Sequence, residues 1–89
     1  MSAELMQLPL FPETVALTRI RPEANEWRFY RMEVCRDLFG RAVLVRHWGR
    51  LGTRGRRRLD PYPDPGAAGN ALARHLRSKH RRGYREQLA

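Results

Sequence analysis

Apolar and polar positions alternate with a period of two over the middle of the chain, then recur every three to four residues towards its C-terminal end. Thr14 to Ile20 (TVALTRI) is rich in β-branched residues and stops at Arg21-Pro22, so it reads as a strand ending in a turn. Pro22 to Asn25 makes the connection. Trp27 to Cys35 (WRFYRMEVC) reads as a second strand, because its aromatic and branched side chains suit a pleated surface. Alternation places Trp27, Phe29, Arg31, Glu33 and Cys35 on one face, and Arg28, Tyr30, Met32 and Val34 on the other. The second set is the cleaner core-facing row. Arg36 to Arg41 is a turn with Gly40 free to take a positive φ. Ala42 to Trp48 (AVLVRHW) is a third strand, Gly49 to Gly55 (GRLGTRG) a tight connection, and Arg56 to Leu59 a fourth strand.

Three prolines in the seven residues Asp60 to Gly66 (DPYPDPG) rule out regular structure there. A helix follows, with Asp64 as N-cap and Pro65 at its first position. Ala68, Ala71, Leu72, His75, Leu76 and Lys79 form its inward stripe, and Gly83 stops it. The expected fold is therefore α+β: a small antiparallel meander of about four strands with one C-terminal helix packed on it. Residues 1–13 read as an extended N-terminal arm docked through Leu8, Leu10 and Phe11. Residues 14–85 read as the domain and 86–89 as a C-terminal tail.

Charge sharpens this picture. The 89 residues hold 18 Lys and Arg against 9 Asp and Glu, a net +9, and Lys79 is the single lysine among them. Arginine's planar fork matches phosphate, so a phosphate-rich partner suits this composition, although GC-rich codons also favour arginine over lysine. Residues 1–40 carry five arginines against six carboxylates, a balance of −1, and residues 41–89 carry 13 basic groups against three carboxylates, a balance of +10. That asymmetry predicts one basic face. Cys35 alone excludes an internal disulfide framework and fits a reducing compartment. The N-terminus lacks a basic n-region and is broken by Pro9 and Pro12, so the cytoplasm is the expected location. No long apolar run or lipidation signal implies a membrane.

Catalysis and metals find little support. Cys35, His47, His75 and His80 lack zinc-ligand spacing, GRLGTRG lacks the lysine of a phosphate loop, and no nucleophile pattern surrounds Ser2 or Ser78. No enzyme and no cofactor is expected.

Trp48-Gly49-Arg50, followed by Gly52 and Gly55, resembles the signature of the WGR domain, found in several poly(ADP-ribose) polymerases and in bacterial proteins. Asn25 to Tyr30 (NEWRFY) is similar to that family's strand opening, and Lys79 to Tyr84 (KHRRGY) to its basic helix end and closing aromatic. The resemblance runs over roughly residues 14 to 85 and is closest to stand-alone bacterial members. It implies DNA contact near a break, with Trp48 packing against a terminal sugar and Arg50 helping to relay the bound state. A catalytic ADP-ribosyltransferase domain is not expected in 89 residues, which leaves a separate catalytic chain as a candidate partner.

Trp48, Gly49, Arg50, Arg54, Arg56 and Arg58 at the turn, with Arg74, Arg77, Lys79, Arg81 and Arg82 at the helix end, are thus the candidate nucleic-acid contacts. Arg54, Arg56 and Arg58 are expected on one face of a strand and Arg57 on the other. Each cluster also has a plainer reading. Trp48 doubles as a core aromatic stapling sheet to helix, Trp27 reads as structural, and the arginines also fit a solvated edge and a solubilising helix face. DNA is the expected partner, at ends, nicks or junctions and with little sequence readout. RNA is a less specific alternative, and a protein adaptor using Trp48 and Arg50 on an acidic partner is the competing function.

Overall fold

Alternating side chains build four long strands in the computed structural model, which describes residues 14–86: β1 (Thr14–Arg21), β2 (Glu26–Arg36), β3 (Ala42–Arg50) and β4 (Arg56–Tyr62). The expected arm and residues 87–89 of the tail lie outside the described residues. Each strand pairs antiparallel with the next. Between β1 and β2 the chain makes a single 3₁₀ turn, Pro22–Ala24, closed by Asn25 in the left-handed region at φ 53°. Asparagine tolerates that conformation because its short polar side chain bonds locally.

The helix α1 (Pro65–Arg81) begins as its sequence dictates. Asp64 accepts the backbone N–H of Ala67 at 2.8 Å, and Pro65 occupies the first turn where no donor is needed. Its end is a Schellman turn: Gly83 N–H donates to the His80 carbonyl and Tyr84 N–H to that of Lys79, both at 3.0 Å. Gly83 takes φ 93° there. The turn drops Tyr84 into the core and sends the chain back along β1 as a short strand β5 (Arg85–Glu86).

Among the described residues the sheet therefore has five strands in the order β4-β3-β2-β1-β5, against an expectation of about four. A two-residue strand carries no period, and its pairing is imposed by the helix end rather than by its own side chains. The α+β architecture is as expected.

The helix lies across one face of β2, β3 and β4. Ala68 and Ala71, both fully buried, let it approach closely, and Leu72 fills the contact. Below it sit Val15, Leu17, Tyr30, Met32 and Leu44, so Tyr30 and Met32 do belong to the core-facing row. Burying each of Leu17, Met32, Leu44 and Leu72 contributes roughly 1.5–3 kcal/mol. The other face of the sheet has no helix over it in the described residues. Ile20, Trp27 and Leu59 remain exposed there. Phe29 points to that face yet is only 5% exposed, because the β3–β4 connection folds over it; Val43 is also buried there.

No helix among the described residues is long and apolar enough to cross a membrane.

Candidate nucleic-acid interface

The connection from Trp48 to Arg56 is held from both sides. Leu51 N–H donates to the Trp27 carbonyl at 2.7 Å, and the Thr53 N–H and hydroxyl both reach the Arg50 carbonyl. The His47 ring bonds the Arg54 carbonyl, and His47 packs edge-on against Phe29. Gly49 and Gly55 cross so closely that a Cβ on Gly49 would stand 2.7 Å from the Gly55 Cα. These two glycines serve that crossing over Phe29, whereas Gly52 at the tip is open. Arg50 reaches back to the preceding hairpin. Its Nη1 donates to the Asn25 carbonyl and its Nη2 to the Asn25 Oδ1, at 3.2 and 3.3 Å. The two ends of the sequence signature, asparagine and arginine, thus close one structure.

Trp48 faces the helix side of the sheet, half-buried. Its ring stacks on Tyr30 with centroids 5.9 Å apart, and the Arg46 guanidinium stands 5.9 Å from its centre. Trp48 is therefore a core staple that keeps one exposed flank. Beside that flank opens a groove of about 290 Å³ lined by Arg19, Arg28, Tyr30, Lys79, Arg82 and Tyr84, with Trp48 and Glu26 completing it.

Register explains the groove. Arg19 pairs with Arg28, and Arg28 with Arg50, so three arginines stand in a row across β1, β2 and β3. Like charges directly opposite one another in a sheet are destabilising, by up to about 1 kcal/mol per pair. Glu26 offsets part of this, at 3.6 Å from Arg19 and 4.0 Å from Arg21. The helix end then adds Lys79 and Arg82. Four cations line the groove against one carboxylate.

Lys79 registers that crowding. Burial, and then the charges of Arg82, Arg46, Arg28 and Arg19, hold its ammonium below the usual lysine pKa of 10.5. The Tyr30 and Tyr84 rings, at 4.4 and 5.3 Å, give it a partial counterweight. A lysine whose folded pKa lies below its unfolded one makes the fold less stable while charged. Stability thus rises with pH up to 10.5 as it loses its proton. Lys79→Met is expected to raise the thermal midpoint at pH 7, with the gain over wild type shrinking as pH climbs towards 10.5. A pH series of melting curves checks this, and a midpoint below wild type at pH 7 contradicts it.

The structure distributes the other candidate residues unequally. Arg56 and Arg58 pair with Trp48 and Arg46 and share the helix side of the sheet. Arg58 is tied to Asp60 at 3.0 Å, and Asp60 in turn holds Arg46 at 3.0 Å. Arg54 departs from the expected face. It lies in the connection before β4 and lines a cavity with His47, Thr53, Gly55 and Arg57 on the helix-free side.

The helix cluster also divides. At 100° per residue, Arg74, Arg77 and Arg81 fall opposite the Leu72–Lys79 stripe and are exposed, while Lys79 and Arg82 turn to the groove. Two regions distant in sequence do meet at the groove, but only through Trp48 on one side and Lys79 and Arg82 on the other, while Arg50 stands next to Arg28 in the row with its guanidinium on Asn25. Arg19 and Arg28, from the half of the chain with a net negative balance, complete the site without having been expected in it. Their signal was the alternation itself, which puts Arg28 on the Tyr30 face; the pairing with Arg19 and Arg50 requires the register.

Residues 13–89 match the family described as WGR domain. A protein of Sinorhizobium fredii (strain NBRC 101917 / NGR234), "Uncharacterized protein y4dW", is 35% identical over 74 residues, which cover 83% of this chain and 36% of that protein. The chain thus spans little more than a third of that relative's length. No solved structure matches the chain.

Proposed function

The chain belongs to the WGR domain family, and from that membership we propose that it is a non-catalytic, cytoplasmic module that binds DNA at ends, nicks or junctions, with little sequence readout. WGR domains serve as nucleic-acid-binding modules in poly(ADP-ribose) polymerases. The observation that carries the reading here is the arginine row, Arg19–Arg28–Arg50, closed by Lys79 and Arg82 beside the free flank of Trp48. A row of like charges at adjacent strand positions costs stability unless an anion joins it, and a phosphate backbone supplies a run of anions.

The preference for ends follows from the tryptophan. Its ring is fixed on Tyr30, so it offers an edge and part of one face rather than a full stacking platform. A terminal sugar with its phosphate fits such a flank, whereas bases of a continuous strand need an open ring to stack on. Little sequence readout follows because the groove presents cations rather than paired donors and acceptors for base edges.

Binding should fall steeply with salt. With four groove cations engaged, the slope of log affinity against log salt is expected near −3.6, at about −0.9 per phosphate neutralised. Fluorescence anisotropy on nicked, blunt and single-stranded DNA and on RNA, each across a salt series, measures both slope and preference. Absence of binding to all four at low salt rejects the proposal, and a covalently closed circular duplex that competes as well as the blunt and nicked ones rejects the preference for ends.

A further inference from the structure

At the end of the sheet remote from the groove, the β2–β3 turn holds Leu38 and Phe39 out in water, 98% and 83% exposed. These are the most exposed large apolar side chains among the described residues. Turn positions ordinarily take Gly, Asn, Asp or Ser, for which water carries no penalty. Nor is the exposure a matter of slack backbone. The Asp37 Oδ1 accepts the N–H groups of Phe39 and Arg41, both at 2.9 Å, and its Oδ2 accepts Arg41 Nε at 2.7 Å. Asp37 and Arg41 also close the turn through their backbones at 2.9 Å, Gly40 N–H donates to the Asp37 carbonyl, and the Arg36 guanidinium caps the Gly40 carbonyl at 2.7 Å. Six hydrogen bonds fix a five-residue turn whose product is a rigid Leu-Phe tip.

That tip is flanked by cations. Arg41 stands over the Phe39 ring at 5.6 Å and, although paired with Asp37, remains exposed, while the Arg36 guanidinium bonds the neighbouring Gly40 carbonyl. An apolar wedge with two arginines beside it is the chemistry of side chains that enter the minor groove and part a base step, with phosphates on the walls to meet the cations. A protein pocket would have to bury two guanidiniums against carboxylates of its own. The spacing also fits a duplex. From Arg50 to Arg41 the chain runs nine residues of strand, about 30 Å at ~3.4 Å per residue, close to the ~34 Å of one turn of duplex.

We propose that Leu38 and Phe39 form a wedge that enters the minor groove of a duplex whose end lies in the arginine groove, unstacking a base step about one helical turn from that end. This rests on the nucleic-acid reading above and adds a second contact that deforms the duplex.

A duplex carrying 2-aminopurine at successive positions from one end reports local unstacking as a rise in fluorescence. Wild type is expected to raise it at least about twofold at a position roughly 10 base pairs from the bound end. Leu38→Ser/Phe39→Ser is expected to abolish the rise while binding the same duplex within about fivefold of wild-type affinity by anisotropy, since most of the affinity comes from phosphate contacts. Both side chains are exposed, and circular dichroism verifies that the variant folds. Binding without any rise, or a rise that persists in the double variant, overturns the wedge and leaves the tip to a protein partner. Failure of wild type to bind any duplex at low salt is a different result: it overturns the nucleic-acid reading, and the wedge with it.

Discussion

Gly55→Ala is expected to destabilise the domain by more than about 3 kcal/mol, and Gly52→Ala, three residues away in the same connection, by only about 1–2 kcal/mol. Both glycines hold positive φ, 68° and 87°, so both substitutions incur the cost of placing an L-residue in the left-handed region. They differ in what the new methyl meets. At Gly52 nothing lies within 4 Å. At Gly55 the methyl would collide with the Trp48 carbonyl and stand 2.8 Å from the Phe29 ring. The carbonyl cannot retreat cheaply, since Trp48 is paired in the sheet on both sides. Phe29 cannot either, being nearly buried beneath the same crossing. A domain of this size has little stability to spare, and each kcal/mol lowers its midpoint by roughly 4–8 °C. Thermal or urea unfolding of the two variants side by side is the check. Equal losses would mean that the crossing does not constrain the connection. The functional corollary is direct, because this crossing sets the direction in which Trp48 and Arg50 leave the sheet.

Much of this architecture is written locally and much of the interface is not. The period-two runs place β1 to β3 within two residues, and Asp64-Pro65 and Gly83 mark the helix ends by their own chemistry. β4 instead runs three residues past its expected end, through Asp60, Pro61 and Tyr62. It is an edge strand and tolerates Pro61, so the prolines do not rule out regular structure there. What escapes a linear reading is whatever depends on pairing between distant segments. β5 exists because a Schellman turn returns the chain to β1. Phe29 is buried from the unexpected side because Gly49 and Gly55 cross over it, which alternation alone cannot express. The arginine row is the clearest case. Summed along the chain, Arg19 and Arg28 vanish into a segment of slightly negative balance, although register sets them beside Arg50. Conversely, Arg74, Arg77 and Arg81 inflate a basic helix end, while helical geometry turns them away from the groove that Lys79 and Arg82 face. Net charge locates a basic protein; only the fold says which cations act together.

That distinction sets the largest functional effect expected. Arg28→Glu should weaken DNA binding at least ~100-fold at low salt, whereas Arg77→Glu, identical in net charge, should stay within about fivefold. Arg28 is the middle of the row, so a carboxylate there pairs with Arg19 and Arg50 on its two flanks and withdraws both from phosphate. Of the four groove cations, Arg28 is removed and Arg19 neutralised, so the salt slope should flatten by roughly 1.8 at about 0.9 per contact. Arg77 lies on the outer helix face, and its reversal changes only the long-range field, which salt screens beyond ~10 Å. Stability should move the other way. Replacing a like-charged cross-strand neighbour by an opposite one relieves the row, so Arg28→Glu should melt no lower than wild type. A loss of binding in a domain that is as stable as before would separate recognition from folding. Equal losses in the two variants would show that bulk charge, rather than the groove, holds the nucleic acid.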